Sequence, residues 1–140
     1  MDAVGTGVEG LAVGDEVWLV IAAWQRPLGG TAQEFTVVPA DRVFPLPAGA
    51  GFDVGASLGV PAMTACHAAL GDGALGGKTV LVTGGAGAVG HYAIQFAKWS
   101  GAQVITTVSG ATKSAQAQAA GADHVINYRD QDVVAVVKEL

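Results

Sequence analysis

The sequence predicts an α/β protein in which a parallel βαβαβ unit follows a group of short antiparallel strands. Three observations carry that expectation. The hydrophobic period changes near residue 75, from short β-branched and aromatic runs between turn signals to segments that alternate between strand-like and helix-like patterns. The run 78–83 (KTVLVT) is apolar without alternation, as in a strand covered on both faces. A glycine-rich turn and an amphipathic segment follow it directly, which is the order that a crossover to a parallel strand requires.

The elements follow in chain order. Val13-Gly14-Asp15 is a turn before a strand at 17–21 (VWLVI), and Leu28-Gly29-Gly30 is a turn before a second strand at 35–38 (FTVV). Pro39, Pro45 and Pro47 break up the next stretch. Asp53 is placed as the N-cap of an Ala-rich helix running through Met63–Leu70, which Pro61 interrupts or restarts. In the second half, the turn at 84–90 leads to a helix at 91–100 whose Ala93, Ile94 and Ala97 share one stripe, with Gly101 as the residue of positive φ beyond its end. A strand over Gln103–Val108, a helix at 113–120 closed by Gly121, a strand at 124–126 and a helix at 132–140 complete the alternation. Only one half of a doubly wound sheet fits between Lys78 and Leu140, and the opening strands lack a complete core, so the chain reads as cut at both ends.

Composition bounds the function. The chain has 140 residues, 51% of them apolar and 14% charged, which excludes a disordered or solvating segment. Seven basic and twelve acidic side chains give a net charge of −5, which argues against a general binder of nucleic acid or anionic membrane. The apolar run 17–24 is eight residues, short of the roughly 20 that span a bilayer, and no basic n-region precedes an apolar h-region. A soluble, cytoplasmic protein is expected. Cys66 is the single cysteine, so neither an internal disulfide nor a cysteine-rich zinc site is available.

Gly85, Gly87 and Gly90 in the turn GGAGAVG satisfy GxGxxG. With 21 glycines in 140 residues, that spacing arises by chance about 0.5 times, so the strand before it and the helix after it give it meaning. In that setting the turn aims backbone N–H groups and a positive helix end at one point, where a pyrophosphate is recognised. Dinucleotide binding by a partial Rossmann unit is the resulting expectation. NAD-binding versions place an acidic residue some 20 positions on, at the end of the second strand. Here no acidic residue stands between Asp72 and Asp123, while Lys78, Lys98 and Lys113 do, a local charge of +3. Ser109 and Gly110, with Lys113 beyond them, offer a hydroxyl, an amide and a cation where a carboxylate would repel a 2′-phosphate, so NADPH is the expected cofactor.

With these residues assembled, the chain resembles the zinc-free quinone oxidoreductases (zeta-crystallin-like) of the medium-chain dehydrogenase/reductase superfamily. The resemblance runs nearly end to end and rests on 13–17 (VGDEV), 59–65 (GVPAMTA), 80–90 (VLVTGGAGAVG) and 121–129 (GADHVINYR). It implies a partial GroES-like catalytic domain over 1–60, a connecting helix over 61–75 and the first half of a Rossmann NADP-binding domain over 76–140. It maps the threonine beside the nicotinamide onto Thr64, and the phosphate loop, which begins at Gly84, onto Ala86, Gly87, Ala88 and Val89. The tyrosine along the 2′-phosphate maps onto Tyr128. The implied activity is hydride transfer from NADPH to a quinone. The alternatives are zinc-free NADPH-dependent reduction of activated carbon–carbon double bonds in enals and enones, or a non-catalytic fragment that binds NADPH or serves a structural role. The resemblance further implies that the parent protein dimerises or tetramerises through sheet strands with no counterpart here.

The zinc-dependent alcohol dehydrogenases of the same superfamily carry a four-cysteine lobe, which has no counterpart between Asp15 and Gly30, and a cysteine ligand where this chain has Val60. Adjacent helix positions point about 100° apart, so Cys66 and His67 are poorly placed to share a metal. No metal site is expected, His91 and His124 are read as non-catalytic, and no general acid is identifiable.

Overall fold

The computed structural model describes residues 1–22 and 30–140, in two compact units, Met1–Val60 and Pro61–Leu140. Most of the expected turn at 28–30 lies outside the described residues.

In the first unit, β1 (Val17–Leu19) pairs antiparallel with β2 (Val43–Pro45). Trp18 and Phe44 face each other across the pair with ring centroids 5.2 Å apart. The run 17–21 stays in the ladder only over its first three residues, because Ile21 adopts φ +48°, where a β-branched side chain is strained and a strand cannot continue. Arg42 Nη1 holds that bend by donating to the Ile21 carbonyl at 3.0 Å. The strand expected at 35–38 does not form. Among the described residues no ladder forms there, and Phe35 and Val37 are exposed. Gly51, not Asp53, takes the N-cap of α1 (Phe52–Ser57); Asp53 sits in the first turn, where its charge meets the helix dipole. Gly55 of α1 approaches β1 so closely that a Cβ there would lie 2.8 Å from Leu46 Cδ1 and 3.5 Å from Trp18 Cβ. Between α1 and α2 (Met63–Leu70) the stretch Leu58–Ala62 is π-helical and contains Pro61, whose missing N–H and ring crowding widen the turn.

The second unit carries a parallel sheet in the order β3 (Thr79–Val82), β4 (Gln103–Val108), β5 (His124–Asn127). The crossover helices α3 (Ala88–Trp99) and α4 (Ala111–Ala119) pack into one cluster on the sheet. There Ile94 and Ala97 of α3 and Ala117 of α4 close over Val82, Val104 and Val108. Helix α2 packs against α3, and α5 (Val133–Glu139) is capped by Asp132, whose Oδ1 accepts the Val134 and Ala135 amides at 2.9 and 3.1 Å. β4 is central and buried at every position after Gln103. β3, expected to be covered on both faces, is an edge strand with Thr79 and Leu81 exposed, because both crossover helices lie on the same side of the sheet. Gly101 and Gly121 take φ +85° and +106° beyond their helices, as the sequence requires.

A polar clamp closes the end of this sheet where β4 starts. Lys98 Nζ lies 2.8 and 2.9 Å from the two Asp123 carboxylate oxygens, and Asp123 Oδ2 accepts the Val104 amide at 2.6 Å. The Lys98 ammonium first, then the Val104 amide, hold the Asp123 carboxyl below the usual aspartate value. A lowered folded-state value means that the stabilisation is complete above the unfolded value near 3.9 and is lost as pH falls through the folded one. Asp123→Asn is expected to cost about 1 kcal/mol at neutral pH, the scale of a half-exposed charged pair. It should also flatten the loss of stability below about pH 4. Denaturant melts at pH 7 and pH 3 check both; parallel acid-side losses in variant and parent would refute the linkage.

Candidate functional site

The site is built where β3 and β4 end. Gly84 leaves β3 at φ +69° and donates its N–H to Thr107 Oγ1 at 3.2 Å, while the Gly85 N–H donates to the Thr107 carbonyl at 3.1 Å. The Gly84 carbonyl then accepts the Gly87 N–H at 2.8 Å, closing the turn. Two of the glycines are required by packing. A Cβ at Gly85 would collide with Thr106 Oγ1 and come within 2.8 Å of Ile94 Cδ1. At Gly90 it would collide with the Gly84 carbonyl oxygen and lie 3.0 Å from Gly85 Cα.

Helix α3 starts at Ala88, so Gly90 belongs to its first turn. The first i→i−4 bond runs from His91 N to Gly87 O at 2.8 Å, which leaves the amides of Ala88, Val89 and Gly90 ahead of the helical ladder. Gly87 caps without a side chain, and no acidic residue stands in the first turn. α4 repeats the arrangement. Gly110 is its N-cap, no side chain caps it, its first turn holds no acid, and Lys113 lies in that turn.

An open cleft of about 170 Å³ lies between these ends, lined by Gly84, Ala86 and Gly87 on one side and Thr107, Val108 and Ser109 on another, with Lys113 and Tyr128 completing it. Lys113 Nζ donates to Ser109 Oγ at 3.1 Å. The Tyr128 amide donates to the Val108 carbonyl at 3.1 Å, which anchors the backbone of a half-exposed ring. No carboxylate lines the cleft. A phosphate-bearing group fits this chemistry, with uncapped helix ends, a glycine turn and a single ammonium for it to meet.

Of the residues singled out in the sequence, Gly84, Ala86, Gly87, Ser109, Lys113 and Tyr128 meet at this cleft. Gly85 and Gly90 lie behind it as packing positions, Ala88 and Val89 form the first turn of α3, and Gly110 caps α4. Thr64 is exposed on α2 and does not line the cleft. The three lysines of the acid-free segment do not converge. Lys78 precedes β3 at the opposite end of the strand, Lys98 is paired with Asp123, and Lys113 alone reaches the cleft. Thr107 escaped the sequence reading; a threonine pair at the end of an otherwise apolar strand, beside a glycine turn, was its signal.

Residues 88–140 match the family model described as zinc-binding dehydrogenase. The mitochondrial NAD(P)H oxidoreductase RTN4IP1 of Bos taurus is 37% identical over 139 residues, 96% of this chain and 34% of that protein. The quinone oxidoreductase of Pseudomonas syringae superposes with a TM-score of 0.82 at 34% identity, covering 99% of this chain and 41% of that one. The Escherichia coli quinone oxidoreductase complexed with NADPH gives 0.75 at 32%, covering 97% and 40%. Over nearly its whole length the chain is similar to quinone oxidoreductase-type medium-chain dehydrogenase/reductases. These relatives are oxidoreductases by name, and the chain spans about a third to two fifths of their length. Among its described residues no three His, Cys, Asp or Glu side chains gather as a metal site, and no helix is long and apolar enough to cross a membrane.

Proposed function

We propose that this chain supplies the NADPH-binding face of a cytoplasmic, zinc-independent oxidoreductase that transfers hydride to a quinone. The observation that carries the reading is the cleft itself, where the glycine turn and two acid-free helix starts adjoin Ser109, Lys113 and Tyr128. The amides of Ala88, Val89 and Gly90 suit the bridging diphosphate. The Lys113 ammonium and Ser109 hydroxyl suit the 2′-phosphate, and the Tyr128 ring suits the adenosine beside it. When bound, the cofactor supplies the hydride, and the protein's part is to hold it in one orientation away from water. The relatives named as quinone oxidoreductases, one of them complexed with NADPH, support this choice of acceptor and cofactor.

The test adds NADPH and an ortho- or para-quinone to the protein and follows the loss of reduced-nicotinamide absorbance, with α,β-unsaturated ketones as the competing acceptors. Oxidation with quinones in preference to enones is the expected result. Preference for enones would move the protein to double-bond reduction, and NADPH binding without turnover would leave a binding module.

A further inference from the structure

Thr107 does more at this cleft than hold the turn. It is 6% exposed and lines the cleft, and it receives two consecutive turn amides, Gly84 N–H on its hydroxyl and Gly85 N–H on its carbonyl. A hydroxyl has one proton to donate besides its acceptor capacity. For the neighbouring Thr106 that proton goes to the Val82 carbonyl at 2.6 Å, so Thr106 is satisfied within the sheet. The Thr107 hydroxyl has no acceptor among the described residues, although its oxygen is occupied by Gly84. A nearly buried donor whose proton is unspent, in a cleft without carboxylates, suits an anionic oxygen entering that cleft.

We infer that Thr107 is a ligand-contacting residue whose hydroxyl donates to a phosphate oxygen of the bound dinucleotide while it accepts the Gly84 amide. This inference rests on the proposed NADPH reading. The bridging diphosphate and the 2′-phosphate share the required chemistry, and NADH, which lacks the second, separates them. In titrations of the 140-residue chain, Thr107→Val is expected to weaken NADPH about tenfold, and Thr107→Ser to stay within about twofold of the parent. Equal loss of NADH affinity assigns the bond to the diphosphate, and unchanged NADH affinity assigns it to the 2′-phosphate.

A purely structural role is separated by proton NMR of the unaltered chain. NADPH should slow exchange of the Thr107 hydroxyl proton and couple it to phosphorus. A hydroxyl signal unaltered by NADPH, equal affinity of Thr107→Val and parent, or equal losses in the Val and Ser variants would overturn the inference while leaving NADPH binding intact. Failure of the unaltered chain to bind NADPH would overturn both.

Discussion

Gly90→Ala lowers the stability of the Pro61–Leu140 unit by about 2–3 kcal/mol, the cost of forcing a methyl group into a filled site that side-chain rotation cannot relieve. The added carbon meets the Gly84 carbonyl and Gly85 Cα, so backbone has to move, and the backbone in question is the turn. Relief comes only by lifting α3 from β3 or by displacing Gly84 and Gly85. The first opens the cluster around Ile94 and Ala97, and the second breaks the hydrogen bonds to Thr107. A fall of about 10 °C in the thermal midpoint is expected for a chain of this size. Gly76→Ala is the control, since its Cβ would meet only the Ser100 carbonyl at an ordinary 3.7 Å and should leave the midpoint within about 1 °C. Equal midpoints for Gly90→Ala and Gly76→Ala would refute the close approach of helix and turn.

Lys113→Ala is expected to weaken NADPH about 30-fold and NADH less than about twofold, because one charge-assisted bond to a partly exposed phosphate is removed. The ammonium already sits 3.1 Å from Ser109 Oγ at the cleft, with no carboxylate among the lining residues to hold it away from a ligand. Lys113→Arg should recover most of the preference. Fluorescence titration with both nucleotides measures it, and the preference should shrink as salt is raised, since the site is open to screening. Equal losses for the two nucleotides would remove Lys113 from 2′-phosphate recognition.

The parallel sheet was legible because β3 is a short apolar run leading into a glycine turn and Gly101 and Gly121 mark the helix ends before β4 and β5, and β4 falls at the residues its pattern indicates. The first unit was less so. β2 is three residues long and ends in Pro45, so it carries no periodic signal, whereas 35–38 has the right composition and joins no ladder among the described residues. A strand is a property of two segments, and a single sequence shows one at a time. The glycine turn, Ser109, Lys113 and Tyr128 could be found because their offsets from strand ends are fixed by the fold. The sum of charges misled, since it carries no direction: Lys98 turns to Asp123 and Lys78 stands at the wrong end of its strand. Thr107 stayed hidden because its part depends on a hydrogen bond across the sheet, 23 positions from Gly84.

The central strand divides two kinds of labour. Val104, Thr106 and Val108 are committed to the packed layer, while Ser109, Lys113 and Tyr128 stand beyond the strand ends with little holding their side chains in place. On the proposed reading, single replacements at the rim would revise ligand preference with little effect on folding, whereas replacements in the layer beneath would disturb its packing. Adaptability and conservatism are partitioned along one short piece of chain.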